Sequence, residues 1–247
     1  MPRPVLPRVF DGDRANVLWA LAIDRHAFRS QSSILSPMEI TPLGDSALLV
    51  RVCDRFDNDP SLALERVLDA LRRLDSAQLP GVIELAPAYT TVAVFYDPVR
   101  VIAASGPEVG AEEWLADRIR TALRSDIDPS IIASEPRLIT VPVCYGGEHG
   151  PDLDDVARHT GFSAEEIIQR HTAAEYRVHC LGFSPGFPYL GGLPSELAVP
   201  RRPTPRKIVP VGSVGIGGAQ TGIYPLPSPG GWHLICLLYT SPSPRDS

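Results

Sequence analysis

Between Leu181 and Gly231 the chain carries ten prolines and eleven glycines, 21 of 51 positions. Proline fixes φ and removes a backbone donor, while glycine frees the backbone to adopt positive φ. Disorder would fit such a stretch if it were polar. Instead Phe183, Phe187, Tyr189, Leu190, Ile208, Val209, Val211, Val214, Ile216, Ile223 and Tyr224 are interleaved with it, and disordered tracts lack apolar content of that kind. The stretch therefore reads as a folded surface of short strands and tight, pre-set turns.

The 247 residues suffice for one large or two small domains with a real core. A net charge of −6 argues against nucleic acid or an anionic membrane as the main partner. Cys53, Cys144, Cys180 and Cys236 have no CxxC spacing, so neither a zinc site nor a disulfide framework is suggested. Reduced thiols in a cytoplasmic protein are the plain reading. No apolar run approaches the ~20 residues of a membrane span.

Residues 1–37 read as a non-native or disordered extension, and Met38 as the true start, because clean periodicity begins only there. Ser46 to Val52 is a strand candidate. Asp59-Pro60 opens a helix with an acidic cap and a proline at the first helical position. Leu64, Val67, Leu68, Leu71 and Leu74 form its apolar stripe. Pro80-Gly81 turns the chain into Val82 to Leu85, and Thr90 to Tyr96 follows as the second arm of a hairpin. A second helix spans Ala111 to Arg124, and Leu138 to Val143 is the next strand. Strand, helix, strand, strand, helix, strand is a ferredoxin-like split βαβ order, giving an α+β subdomain over 38–135 with a boundary near 128–137. Beyond it, Leu153 to His159 is a short helix, Ser163-x-x-Glu166 a capping box opening a helix through His171, and Tyr176 to Leu181 a strand. Frequent short strands over 136–235 suggest a small β-barrel.

Familiar catalytic signals are absent. Gly217-x-x-x-x-Gly222 has the glycine spacing of a phosphate loop, but Ile223 stands where lysine is required. There is no HExxH, and Ser184 precedes Pro185 instead of sitting in a GxSxG elbow. The histidines have no ligand spacing, so no metal site is expected. Glu148 and Asp152 flank a glycine turn; Asp152 reads as a helix cap. His171, near a helix C-terminus, suits acid–base work or a favourable contact with that helix end. Arg201, Arg202, Arg206 and Lys207 form the one concentrated cationic patch, able to bind a carboxylate, carbamate or phosphate, although most such clusters are solvated loop charges or partner contacts. Gln220, between Gly218 and Gly222, can read a substrate amide with both donor and acceptor, with Tyr189, Tyr224 and Trp232 as pocket walls or plain core.

Gly182-Phe-Ser-Pro-Gly-Phe-Pro-Tyr-Leu-Gly-Gly-Leu-Pro194, the Tyr145-Gly-Gly-Glu148 turn, Gly218-Ala-Gln-Thr-Gly-Ile-Tyr-Pro225 and Ser228-Pro-Gly-Gly-Trp232 closely resemble the family of 5-oxoprolinase B subunits, also called allophanate hydrolase subunit 1 or KipI. The resemblance runs from Met38 to about Ile235. It implies a ferredoxin-like α/β subdomain followed by a cyclophilin-like β-barrel, and as partners a KipA-like sister, the C subunit, and the A subunit of 5-oxoprolinase. It also implies ATP, with Mg2+, as cosubstrate for opening 5-oxo-L-proline to L-glutamate, the chain being inactive alone. Alternatives within the resemblance are a KipI-like inhibitor of a sensor histidine kinase, and a carboxyltransferase or allophanate-hydrolase component of urea metabolism. The residues it points to are His171, Glu148 and Gln220 as catalytic positions, and Tyr176, Ser184, Tyr189, Arg206 and Tyr224 as substrate-binding ones. The family has no counterpart of residues 1–37. The run Cys236 to Ser247 departs from the family's continuation and reads as a non-native tail, leaving the barrel short of its last strands and poorly soluble.

Overall fold

The structure, a computed structural model, describes residues 16–23, 39–56, 59–106, 108–125 and 137–239. All but the last residue of the boundary expected near 128–137, the tail from residue 240 and most of the 1–37 extension lie outside the described residues. The chain divides into two compact units, 25–134 and a second unit of the residues on either side of it.

The first element, β1 (Asn16–Ile23), belongs to the second unit. In the 25–134 unit, β2 (Glu39–Pro42) and β3 (Ala47–Arg51) form a hairpin. Asp59 then accepts a hydrogen bond from the Leu62 amide at 2.9 Å, capping α1 (Pro60–Ala77). α1 buries Ala63, Leu64, Val67, Ala70 and Leu74, the one-sided spacing that a 3.6-residue repeat requires. The Gly81 turn has φ +81°, and a Cβ there would meet the Val101 side chain at 2.6 Å, so only glycine fits. β4 (Val82–Ala88) and β5 (Thr91–Tyr96) follow as the expected hairpin. Asp97-Pro98 repeats the cap-and-proline signal and opens α2 (Pro98–Ser105), a helix the periodicity did not anticipate; Asp97 accepts from the Val99 and Arg100 amides. α3 (Ala111–Arg124) buries Leu115 and Ile119. In the sheet, β3 pairs with β2 and β5, and β5 with β4, all antiparallel. Val50, Val67, Val92, Val94, Leu115 and Ile119 are fully buried, each contributing about 1.5–3 kcal/mol of transfer free energy.

One expectation needs correcting. Leu138 to Val143, read as the last strand of this layer, lies in β6 (Arg137–Tyr145) of the second unit, paired with β1. Beside β3 stands β2 instead, with Glu39 opposite Arg51 and their side chains ion-paired at 3.1 Å. Alternation identifies a strand; it does not choose the strand's partner.

In the second unit β6 is followed by α4 (Leu153–Thr160) and α5 (Ala164–Ala173). The capping box forms as expected: Ser163 N–H donates to Glu166 at 2.9 Å and Glu166 N–H to Ser163 Oγ at 3.2 Å. Then come β7 (Glu175–Leu181), β8 (Pro188–Gly191), β9 (Arg206–Val209), β10 (Ser213–Gly217), β11 (Gln220–Ile223), β12 (Ser228–Gly230) and β13 (His233–Leu238). The antiparallel order is β1-β6-β13-β10-β11-β8-β7, while β9 and β12 form a separate two-stranded sheet. Among the described residues the barrel does not close along its full length: β1 meets β7 through Ala20↔Glu175 and Leu21↔Tyr176. A core of Val143, Val156, Ile167, Tyr176, Leu190, Leu197, Val214, Ile216 and Ile235 fills one side of the sheet. The result is a mixed α+β fold with a large antiparallel sheet.

Candidate functional site

The glycines of β10 and β11 face a cluster of aromatic rings. A Cβ on Gly215 would lie 3.0 Å from Trp232 Cβ, one on Gly217 2.5 Å from the Trp232 indole, and one on Gly222 2.8 Å from the Phe187 ring. Alternate residues Val214, Ile216 and Thr221 turn to the other side and are buried. Phe187 packs edge-on against Tyr189, Tyr224 and Trp232 at centroid distances of 4.9, 5.0 and 5.7 Å. Phe187, Tyr224 and Trp232 are buried, so they are core, not open pocket wall; Tyr189 is half-buried at the edge. Gln220 opens β11 opposite Gly217, on the same strand face as Gly222.

Over one side of this cluster runs the Gly182–Phe187 loop. Ser184-Pro-Gly-Phe187 is a type II arrangement, with proline second, Gly186 third at φ +79°, and Phe187 N–H donating to Ser184 O at 3.0 Å. Just before it, Ser184 N–H donates to Gly182 O at 2.8 Å across Phe183, whose φ is +68°. That is a γ-turn of the strained positive-φ kind, costing about 1–3 kcal/mol at a non-glycine residue. It leaves Phe183 60% exposed, with its ring 5.5 Å from Phe187 and 6.5 Å from Tyr224. Ser184 Oγ is buried and makes no hydrogen bond among the described residues.

The cationic patch is organised by Asp152, whose side chain is only 3% exposed. It stands at the N-cap position of α4, yet its carboxylate makes no cap bond. Instead it accepts from Arg202 Nη1, from Nη1 and Nη2 of Arg206, and from the Leu234 amide, each at 2.7 Å. The capping expectation is therefore corrected: charge-assisted bonds to two guanidiniums are about twice as strong as neutral ones. Burial alone would raise the Asp152 carboxyl. The Arg206 hydrogen bond, the Leu234 amide and the two positive charges outweigh it and hold the carboxyl below the usual range. Arg206, expected to bind substrate, thus has both terminal nitrogens engaged with Asp152. Arg201 differs: it is exposed, its guanidinium carbon lies 5.9 Å from the Trp232 ring centroid, and it has no ion pair among the described residues.

The remaining candidates lie elsewhere. His171 is fully buried on α5, with Nδ1 2.6 Å from the Tyr145 hydroxyl, while the Tyr176 hydroxyl donates to His171 O at 2.7 Å. Burial pushes its imidazole down to about 3, so it is neutral at working pH. Tyr176 is equally enclosed and its phenol is raised, chiefly by burial. Glu148 is 87% exposed, 3.7 Å from His149. Of the expected site residues, the fold gathers Ser184, Tyr189, Arg206, Gln220 and Tyr224 around the aromatic cluster. His171 and Tyr176 belong to the main core, and Glu148 to an outer turn. The glycine spacing 217–222 falls on the β10–β11 hairpin, with Gly217 opposite Gln220 and Gly215 opposite Gly222. Among the described residues no group of three or more His, Cys, Asp or Glu could hold a metal ion, and no helix is long and apolar enough to cross a membrane.

Residues 38–237 match the family model for the carboxyltransferase domain, subdomain C and D. The chain belongs to this family. It is 40% identical over 202 residues to the 5-oxoprolinase B subunit of Bacillus subtilis, covering 80% of each chain. To the 5-oxoprolinase B subunit of Haemophilus influenzae it is 44% identical over 199 residues, covering 80% of this chain and 84% of that one. The crystal structure of TTHA0988 superposes with a TM-score of 0.61 at 32% identity, covering 79% of this chain; the chain spans about a third (35%) of that longer one. Within the family's matched stretch, three features escaped sequence reasoning: the Asp152 hub, the Arg201–Trp232 contact and the positive φ of Phe183. Arg202 and Arg206 are 50 and 54 positions from Asp152, so no local spacing could announce the hub. Only the Ser-Pro-Gly run hinted at an unusual turn beside Phe183.

Proposed function

We propose that this chain is the B subunit of an ATP-dependent 5-oxoprolinase, opening 5-oxo-L-proline to L-glutamate together with the sister C and A subunits in the cytoplasm. The observation that carries the reading is identity of 40–44% to proteins named as 5-oxoprolinase B subunits, spread over four-fifths of both chains. The geometry supports a division of labour within such a complex. His171 is buried and neutral, Arg206 is committed to Asp152, and the glycine-rich turn is a hairpin, so these three features do not form a nucleoside triphosphate site. ATP and its Mg2+ are assigned to the other members of the complex. This chain contributes the substrate-side surface: Gln220, with an amide able to pair with the lactam, beside Ser184, Tyr189 and Tyr224. Glu148, on its exposed turn, is assigned to a contact between subunits, and His171 and Tyr176 to holding α5 against the core. In the finer architecture the 38–135 half is a ferredoxin-like layer with β2 in place of the expected last strand, and the 136–235 half is cyclophilin-like.

Reconstitution tests the function. Mixing this chain with its two partners is expected to give ATP-dependent glutamate release from 5-oxoproline, lost when the chain is left out. Undiminished turnover without it ends the proposal. Within the working complex, Gln220→Ala is expected to lower kcat while the subunits stay associated.

A further inference from the structure

Four cations crowd the segment 201–207, and the fold treats them differently. Arg202 and Arg206 are spent on Asp152, with three guanidinium nitrogens at 2.7 Å from its oxygens. Lys207 follows Arg206 on β9, so strand alternation turns it to the opposite face. Arg201 alone is poised over the aromatic cluster: its guanidinium lies across the Trp232 ring, and no described carboxylate answers it. It is near enough to Tyr224 to oppose the upward push of burial on that phenol. An indole face holds a guanidinium in place without neutralising it, which leaves the planar donor edge free for an incoming anion.

We propose that Arg201 is the specificity-determining anchor for a small carboxylate, gripping it at the rim of the aromatic cluster while Gln220 and the exposed Phe183 address the rest of the molecule. The inference rests on the reading above and deepens it, since 5-oxoproline joins one carboxylate to a flat lactam. A guanidinium edge offers two parallel N–H donors that match a carboxylate's two oxygens. Lysine in its place would keep the charge and lose the fork. Arg202 and Arg206 cannot substitute without abandoning Asp152.

The test uses the reconstituted complex and the full chain. Charge-assisted hydrogen bonds of about 1.5–3 kcal/mol correspond to an effect between about 10-fold and about 150-fold. Arg201→Gln is therefore expected to raise KM for 5-oxoproline by that factor, with kcat and melting temperature held. Arg201→Lys is expected to fall between. Turnover of 2-pyrrolidone, the same lactam without the carboxylate, should be indifferent to either change. An unchanged KM for 5-oxoproline in a working complex overturns Arg201's role and leaves the proposed function standing, as does a KM rise for ATP instead, which would mark a phosphate contact. Dissociation of the complex by Arg201→Gln likewise overturns it, marking an interface contact. If the wild-type complex does not turn over 5-oxoproline at all, the functional reading fails. Calorimetric titration of the full chain with 5-oxoproline and 2-pyrrolidone then decides the inference: binding of the carboxylate alone, lost in Arg201→Gln, upholds it, and any other pattern sinks it.

Discussion

Replacing Asp152 by asparagine keeps the side-chain shape and removes one charge from the centre of a three-way junction. In the native protein its carboxylate ties the start of α4 to the 202–206 segment and to the Leu234 amide of β13. Breaking a buried ion pair from one side costs about 3–5 kcal/mol. Here Arg202 and Arg206 are 27% and 25% exposed and can take up water when abandoned, so the lower end, about 3 kcal/mol, applies. For a chain of this size each kcal/mol moves Tm by roughly 2–4 °C, giving a fall of about 6–12 °C. Scanning calorimetry at pH 7 measures it and resolves the two units if they melt apart. The pH dependence is a second check. The folded carboxyl is held below its unfolded value of about 3.9. Its stabilisation is therefore complete above that pH and disappears as pH falls through the folded value. The gap between wild type and Asp152→Asn should be full at pH 7 and close below about pH 4. A loss under 2 °C at pH 7, or a gap that ignores pH, would refute the reasoning.

Two further perturbations bear on the fold around the site. Gly217→Ala places a methyl 2.5 Å from the Trp232 indole and should cost about 1–3 kcal/mol by overpacking, whereas Gly231→Ala, whose methyl would meet nothing closer than 3.7 Å, should stay within about 0.5 kcal/mol; equal melting temperatures for the two variants would contradict the packing described. His171 has its folded pKa lowered by burial to about 3. It therefore stabilises the fold fully above its unfolded value near 6.5 and progressively less as pH drops from there toward 3. Acid melts of His171→Gln should be flatter than wild type over that window, and the pH–rate profile of the reconstituted enzyme should carry no limb from this histidine.

Local chemistry was legible at α1 and α5, where the bonded partners are near in sequence, although the same signal at Asp97-Pro98 was passed over. Asp59-Pro60 and Ser163-x-x-Glu166 announce their caps because the bonded amides lie three residues away. The α1 stripe and the strand segments follow from side-chain period alone. Gly182 to Pro194 carried the family resemblance, and its Ser-Pro-Gly-Phe turn takes the only arrangement a proline followed by a positive-φ glycine allows.

What the residues could not decide is which distant groups meet. Strand Arg137–Tyr145 has the same alternation whichever sheet it joins, and its pairing with Asn16–Ile23 emerges only when both are folded. The cationic segment 201–207 looks uniform in one dimension. Tertiary structure divides it, giving Arg202 and Arg206 to Asp152 and laying Arg201 over Trp232. His171 offered the right pKa as a free side chain and lost it to burial. The sequence determined the turns, the strand segments and the caps at Asp59 and Ser163, because those depend on a residue and its near neighbours, whereas Asp152 was drawn from its cap by distant arginines. The site's charges and proton affinities were decided by the fold, because Coulomb interaction and desolvation depend on distance and burial in space, which spacing along the chain does not encode.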